Sequence, residues 1–273
     1  MAGLLFRLLA AVMIVFLATV GAYAQEDDED APDSRHFRLA FPEGPQRQFI
    51  DAVLLGSVRG ALADARALPD GVNTVGAHGH TALEAASYRG DLKMVTALLA
   101  AGAKPDGAPD RAPIGLAFTR KDTDVGIATV NVLVKAGANV DGSSYGATLM
   151  WLMARHGNLA AVEALAALHA DMNHGHGGYP APLLDAADTG GWSIVEWMLH
   201  HGGDPWVTDR FGDNLGYAAQ TYLEPRIAAI QPPPEREALD RTVALLRRRG
   251  FPWPPPSPQQ VLEARKAGRW PPR

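Results

Sequence analysis

Between residues 46 and 251 the apolar positions fall in short helical bursts, and the bursts recur on a fixed period. Five turn segments close alike: Pro69-Asp70-Gly71-Val72-Asn73, Gly102-Ala103-Lys104-Pro105-Asp106, Gly137-Ala138-Asn139-Val140-Asp141, His169-Ala170-Asp171-Met172-Asn173 and Gly202-Gly203-Asp204-Pro205-Trp206. Their last residues lie 33, 35, 32 and 33 apart. An apolar pair that ends a short helix precedes each of the last four: Leu98-Leu99, Leu133-Val134, Leu165-Ala166 and Met198-Leu199. Gly90, Gly157 and Gly190 separate two helices of about eight to ten residues in their units. The pattern predicts an all-α stack, because one such helix pair cannot bury its own apolar face and neighbours must bury it jointly.

A second string recurs upstream of the apolar pairs. It reads Thr81-Ala82-Leu83-Glu84-Ala85-Ala86, Ala112-Pro113-Ile114-Gly115-Leu116-Ala117, Thr148-Leu149-Met150-Trp151-Leu152-Met153 and Ala181-Pro182-Leu183-Leu184-Asp185-Ala186. This resembles the ankyrin repeat, a 33-residue turn plus two antiparallel helices with a T-P-L-H-x-A motif. Residues 79–106 match it best, and the resemblance covers about six units over residues 46–251, the terminal ones atypical. It implies a solenoid of helix-turn-helix units with short β-turn or hairpin loops. Small residues (Ala85, Ala86, Ala117, Ala154, Ala186, Ala187) let first helices approach, and larger ones (Leu98, Val132, Leu165, Trp197, Leu199, Leu246) fill the second-helix layer.

Departures from the period carry their own expectations. About four extra residues after Lys121 suggest a lengthened inter-helix loop around Thr123 to Gly126. His169 replaces a helix-ending glycine, a weakened cap, because histidine tolerates a left-handed backbone better than most residues. In the last unit Gly212 to Gln220 reads as the first helix, but Leu239 to Leu246 comes about 14 residues late, with Pro225 and Pro232-Pro233-Pro234 breaking the gap.

The chain's start reads as an address. Arg7 is the only charge before Glu26, Leu8 to Val20 is largely apolar, and Ala22-Tyr23-Ala24 offers small residues where a signal peptidase cuts. Residues 1–24 are therefore expected to be a signal peptide cleaved after Ala24, placing the protein in a bacterial periplasm; membrane contact is expected only if the segment stays uncleaved. Residues 25–45 are expected to be an acidic, disordered leader. The net charge of −5 comes largely from the five acids of residues 26–30, and residues 31–273 carry only −1. That balance excludes a general nucleic-acid binder. With 47% hydrophobic residues a wholly disordered chain is excluded, and with no cysteine so are disulfides, thiolate metal sites and a cysteine nucleophile.

Candidate chemistry is sparse. His78-Gly79-His80 and His174-Gly175-His176 sit in equivalent turns, three units apart, too far for one site. They read as polar turn residues; the alternative is metal binding in a stress-protection protein, with His200 or His201 as a third ligand. No nucleophile elbow, phosphate-binding glycine loop or H-E-x-x-H helix is present, so no catalytic activity and no cofactor are expected. Asp185 and Asp188, one helical turn apart, are either paired carboxylates or a solvated helix face. Asp204, Asp209 and Asp213 read as turn and cap residues. Residues 252–273 form a proline-rich basic tail: Phe251 and Trp253 are expected to cap the last repeat with the remainder solvated, the other reading being a recognition or membrane-surface tail.

The resemblance implies a scaffold that binds another protein on its concave face. The family's variable positions fall on His78, His80, Tyr88, Arg89, Arg111, Arg120, Tyr145, Arg155, His156, Asp188, Arg210 and Phe211. Tyr, Arg and Phe dominate interface energetics, which suits such a patch. The expected protein is monomeric and acts as adaptor, protector or inhibitor of another exported protein, an immunity protein against a toxin included. Replacing Tyr145 and Arg155 together by alanine is expected to abolish partner capture without lowering stability.

Overall fold

The computed structural model describes residues 34–118 and 122–272. The chain divides into two units, Met1–His36 and Phe37–Arg273. Only Ser34, Arg35 and His36 of the first are described, and the account below concerns the second. The signal peptide and acidic run expected for residues 1–33, and Arg120, lie outside the described residues.

Paired helices recur along the chain. After α1 (Arg35–Ala40), unit one is α2 (Pro45–Leu54) and α3 (Val58–Arg66), and unit two is α4 (Ala82–Tyr88) and α5 (Leu92–Ala100). Unit three pairs a 3-10 turn, Pro113–Leu116, with α6 (Thr123–Lys135). Unit four is α7 (Leu149–Arg155) and α8 (Leu159–Ala167), and unit five is α9 (Pro182–Asp188) and α10 (Trp192–His200). Unit six is α11 (Leu215–Leu223) and α13 (Pro233–Arg248) with the short α12 (Pro225–Ala228) between, and α14 (Pro258–Lys266) follows. Each first helix packs on the first helices beside it and each second helix on the second helices beside it, which gives two layers. The all-α expectation holds: among the described residues the strands are Ser143–Ser144 (β1) and Ala147–Thr148 (β2), an antiparallel pair at one loop tip.

Local chemistry sets these boundaries. Thr81 and Glu84 form a reciprocal capping box on α4, and Asp91, Asp122, Thr148, Asn158 and Asn214 cap α5, α6, α7, α8 and α11 by accepting from first-turn amides. Second helices end in a left-handed residue: Gly102, Gly137 and Gly202 have φ of 91°, 100° and 102°, and His169 takes the same place at 65°. Imidazole accepts that conformation at a cost glycine avoids.

The recurring turn endings have a structural task. Asn73, Asp106, Asp141 and Asn173 each accept, through a side-chain oxygen, the backbone N–H of Lys104, Asn139, Asp171 and Asp204 in the next unit, at 2.7–2.8 Å. This ladder ties loop to loop. Trp206 ends it: its ring stacks on Phe251 at 4.8 Å, and its carbonyl accepts from the Trp270 indole at 3.1 Å.

All six small residues expected between first helices are buried, none above 3% exposed. Ala86→Leu is therefore expected to overpack the layer, costing about 1–3 kcal/mol and lowering the melting temperature in a thermal scan. In the second-helix layer Leu98, Leu165, Leu199 and Leu246 are buried as expected, but Val132 and Trp197 are only partly so. Leu133 and Trp192, both fully buried, fill those places.

Four expectations need correction. Residues 37–45 are not disordered leader: α1 seats Phe37 and Phe41 in the core at 0% exposure, and the Arg47 guanidinium donates twice to the Phe41 carbonyl. The extra residues of unit three lengthen α6 by a turn, because Asp122 caps it at the amides of Asp124 and Val125. The first helix of that unit shrinks to a 3-10 turn, where a Cβ on Gly115 would lie 2.6 Å from Ser144. Pro233 and Pro234 open α13 instead of breaking the gap, since the first helical positions need no N–H donor. The tail is not solvated beyond Trp253: α14 buries Val261, and Trp270 returns to the Trp206 ring.

Candidate functional site

The first-helix side of the stack and its loop tips carry the residues expected to meet a partner. Tip backbones turn through left-handed residues, His78, Asp110 and Tyr145 with φ of 54–58°, so their side chains project. His78 is exposed, as are Tyr145 (54%) and Phe211 (59%). Tip-to-tip packing is tight: the Asp110 carboxylate accepts from Ser143 Oγ and the Gly146 amide at 3.0 and 2.8 Å.

Three charge networks span this side. In the first, Glu84 is fully buried in α4. His80 Nδ1 meets its carboxylate at 3.0 Å and Arg111 Nη1 at 3.4 Å. Arg111 also donates to the Tyr145 hydroxyl, and its guanidinium lies 4.4 Å from the Tyr145 ring centre. Units two, three and four are so joined. His80 is 6% exposed with its ring 5.0 Å from Phe37, which also lies 5.4 Å from Tyr88. α1 therefore covers the face of His80 and part of Tyr88.

The second network joins units four and five. Arg155 donates to both oxygens of Asp185 at 3.1 Å and lies over Trp151, whose other neighbour is the Tyr179 ring at 4.4 Å. Burial pushes the Asp185 carboxyl up, and Arg155 opposes that. Partial burial and then the Arg155 charge hold His156 below the usual imidazole range. Arg155 is thus structural, and the expectation that its removal leaves stability unchanged is overturned. Arg155→Ala strands a carboxylate that is 4% exposed. The expected cost is about 2 kcal/mol, below the range for a fully buried pair because water reaches the arginine side, and a urea titration reads it.

The third group lies between units five and six. Asp188 in α9 faces Asp213 and Asp209 from the loop before α11. Desolvation and then Asp213, Asp185 and Asp209 push its carboxyl up to about 7, while Arg155 opposes them. Asp188 keeps solvent access, so the neighbouring carboxylates are the firmer cause of that direction. Asp213 is raised by burial and by Asp209, and the Tyr222 hydroxyl, which donates to the Asp188 carbonyl, is raised by burial and by the Asp188 charge. Arg210 lies 4.8 Å over the exposed Phe211 ring.

Arg89 is half-buried at the end of α4, away from the projecting tips. The histidine pairs do not form chelates: among the described residues no group of three or more His, Asp or Glu side chains could hold a metal ion. His174 bonds Asp171 at 2.6 Å, and His80 is turned into the Glu84 network. No described helix is long and apolar enough to cross a membrane. Sequence reasoning missed Glu84 as the centre of the first network. The signal was its place three residues after Thr81, the capping-box spacing, where the motif carries histidine.

The ankyrin repeat family model matches residues 78–111, the span from the exposed His78 through unit two to Arg111. The fold is similar to the crystal structure of the human ASB11 ankyrin repeat domain, with a TM-score of 0.55 and 21% identity over 78% of this chain and 90% of that one. This chain carries an ankyrin repeat over residues 78–111 and has the fold of an ankyrin-repeat array. A search of the curated proteins gave no match. Ankyrin repeats generally mediate protein–protein interaction and are typically non-enzymatic.

Proposed function

We propose that this ankyrin array is exported to the periplasm and there holds, protects or inhibits another exported protein. The observation that carries the reading is the pair of projecting aromatics, Tyr145 and Phe211, each braced by an arginine and carried on rigid stacked loops. A preformed aromatic tip loses little conformational entropy on binding, so its buried area converts efficiently into affinity. The apolar run before Ala22-Tyr23-Ala24 supports export.

The test is affinity capture from periplasmic extract with the native chain and with a Tyr145→Ala/Phe211→Ala variant, followed by mass spectrometry. A partner held by the first and lost by the second supports the reading, provided thermal melts show the variant folded. Equal capture by both removes these tips from the interface. Sequencing the mature N-terminus tests export separately: a chain beginning at Gln25 is expected.

A further inference from the structure

Charge is spread unevenly over the folded chain. Residues 34–246 carry 17 basic and 23 acidic side chains, a net −6. Residues 247–272 carry six basic and one acidic, a net +5. Two of those six hold the fold: Arg249 donates to the Leu199 carbonyl at 2.7 Å, and Arg265 to Thr208 Oγ1 and the Asp209 carbonyl. The other four, Arg247, Arg248, Lys266 and Arg269, are exposed. Among the described residues no carboxylate lies within ion-pair distance of any of the six. The one acid, Glu263, accepts from Gln259 on its own helix at 2.8 Å.

These cations are interleaved with apolar groups that reach water. Arg247 lies 4.5 Å over the ring of Trp253, which is half-buried. The flanking Pro252 and Pro254 begin one wall of an open groove of about 560 Å³, which Pro255, Pro256, Trp270 and Arg269 extend. Glu263 lies on the α14 side of that groove, and Lys266 stands one turn beyond it at the end of the helix. The end of α13, the proline run and the end of α14 with its tail so converge on the cap of unit six.

We propose that this cap docks on an anionic phospholipid surface, through Arg247, Arg248, Lys266 and Arg269 with Trp253 and the proline wall between them. The inference goes beyond the scaffold reading and needs no partner protein. Both parts of the chemistry fit a bilayer. Lipid phosphates take the guanidinium and ammonium groups, while the indole and pyrrolidine rings rest at headgroup level, where amphipathic side chains are favoured. A purely acidic polypeptide segment would match the charge and leave Trp253 and the prolines unmatched. The sign of the rest of the array sets the orientation: the surface that attracts a cap of +5 repels a body of −6. Docking is therefore end-on. Because each unit touches only its neighbours, units two to four then stand away from the lipid, and the Tyr145 tip stays in water.

The test is co-sedimentation of the chain beginning at Gln25, which keeps every described residue, with two kinds of vesicle. One is phosphatidylcholine alone and the other contains about 30% phosphatidylglycerol. Binding is expected to be at least about tenfold tighter to the mixed vesicles, and to fall as added salt shortens the screening length. Arg248→Gln/Lys266→Gln/Arg269→Gln removes three exposed cations at about fivefold each, a loss of about 100-fold, with circular dichroism and the thermal melt unchanged. Arg248→Lys/Arg269→Lys should bind as the native chain does, because a bilayer reads charge and not the guanidinium fork. Equal binding to both vesicles, binding to neither, or unchanged affinity in the triple Gln variant overturns the proposal. Capture of a glutamate-rich peptide without vesicle binding also overturns it, and assigns the cap to an acidic protein instead. The scaffold reading fails separately, since vesicle binding does not depend on whether a partner is lost on Tyr145→Ala/Phe211→Ala.

Discussion

Replacing Phe37 by alanine is expected to cost about 3–5 kcal/mol, the range for removing a fully buried aromatic ring. Phe37 is 0% exposed, meets His80 edge-on and lies tilted against Tyr88, so it closes the first-helix layer where the array would otherwise present α4 to water. A stack of repeats contacts only neighbours, so the loss should stay local before it spreads. Amide hydrogen exchange should speed up first in α2, α3 and α4, with α9 and α10 unchanged, and the urea midpoint should fall. If residues 25–45 were a solvated leader throughout, the same substitution would leave both measurements unmoved. The variant should also uncover His80 and Tyr88, lengthening the open face by one unit.

The repeat period was legible because turn chemistry is local. A glycine or histidine in the left-handed conformation, a capping Thr or Asp and an apolar pair announce a helix end without reference to the rest of the fold. The ends of the array were not legible. Phe37 sits between a histidine and an arginine after an acidic run, and its partners His80 and Tyr88 are more than 40 residues away. Trp270 likewise meets Trp206 and Phe251 only after the chain has turned back through α14. Composition marked both segments as solvated, yet in each case one or two aromatics outweigh many polar neighbours, because burying a ring is worth several surface charges.

For the candidate site the same division holds. Exposure of Tyr145 and Phe211 follows from their place in the turn, which the period supplies. The duties of Arg111 and Arg155 do not, because each depends on an acid about 30 residues away in another unit. Variable positions in this fold therefore mix two kinds of residue. One projects from a tip and is free to contact a partner; the other spans two units and holds the face rigid for it.

Deleting residues 257–273 is expected to destabilise unit six by about 3–5 kcal/mol, combining a fully buried valine with a half-buried tryptophan. The truncated chain keeps Phe251 and Pro255 against α11, where a Cβ on Gly216 would meet Phe251 at 2.4 Å. It loses Val261, the indole that donates to the Trp206 carbonyl, and the Arg265 bonds to Thr208 and the Asp209 carbonyl. Trp206 holds the place where units one to four carry the Asn or Asp of the loop ladder, so nothing polar replaces the lost cap. Exchange should rise in α11 and α13 while α4 and α5 keep their protection, and the urea transition should broaden as the last unit frays separately. The Asp209 turn sits under α14, so the deletion should also loosen Phe211 and weaken any partner that rests on it. A transition unchanged in midpoint and width would mean that the tail contributes nothing to the fold, and that the array closes on Phe251 alone.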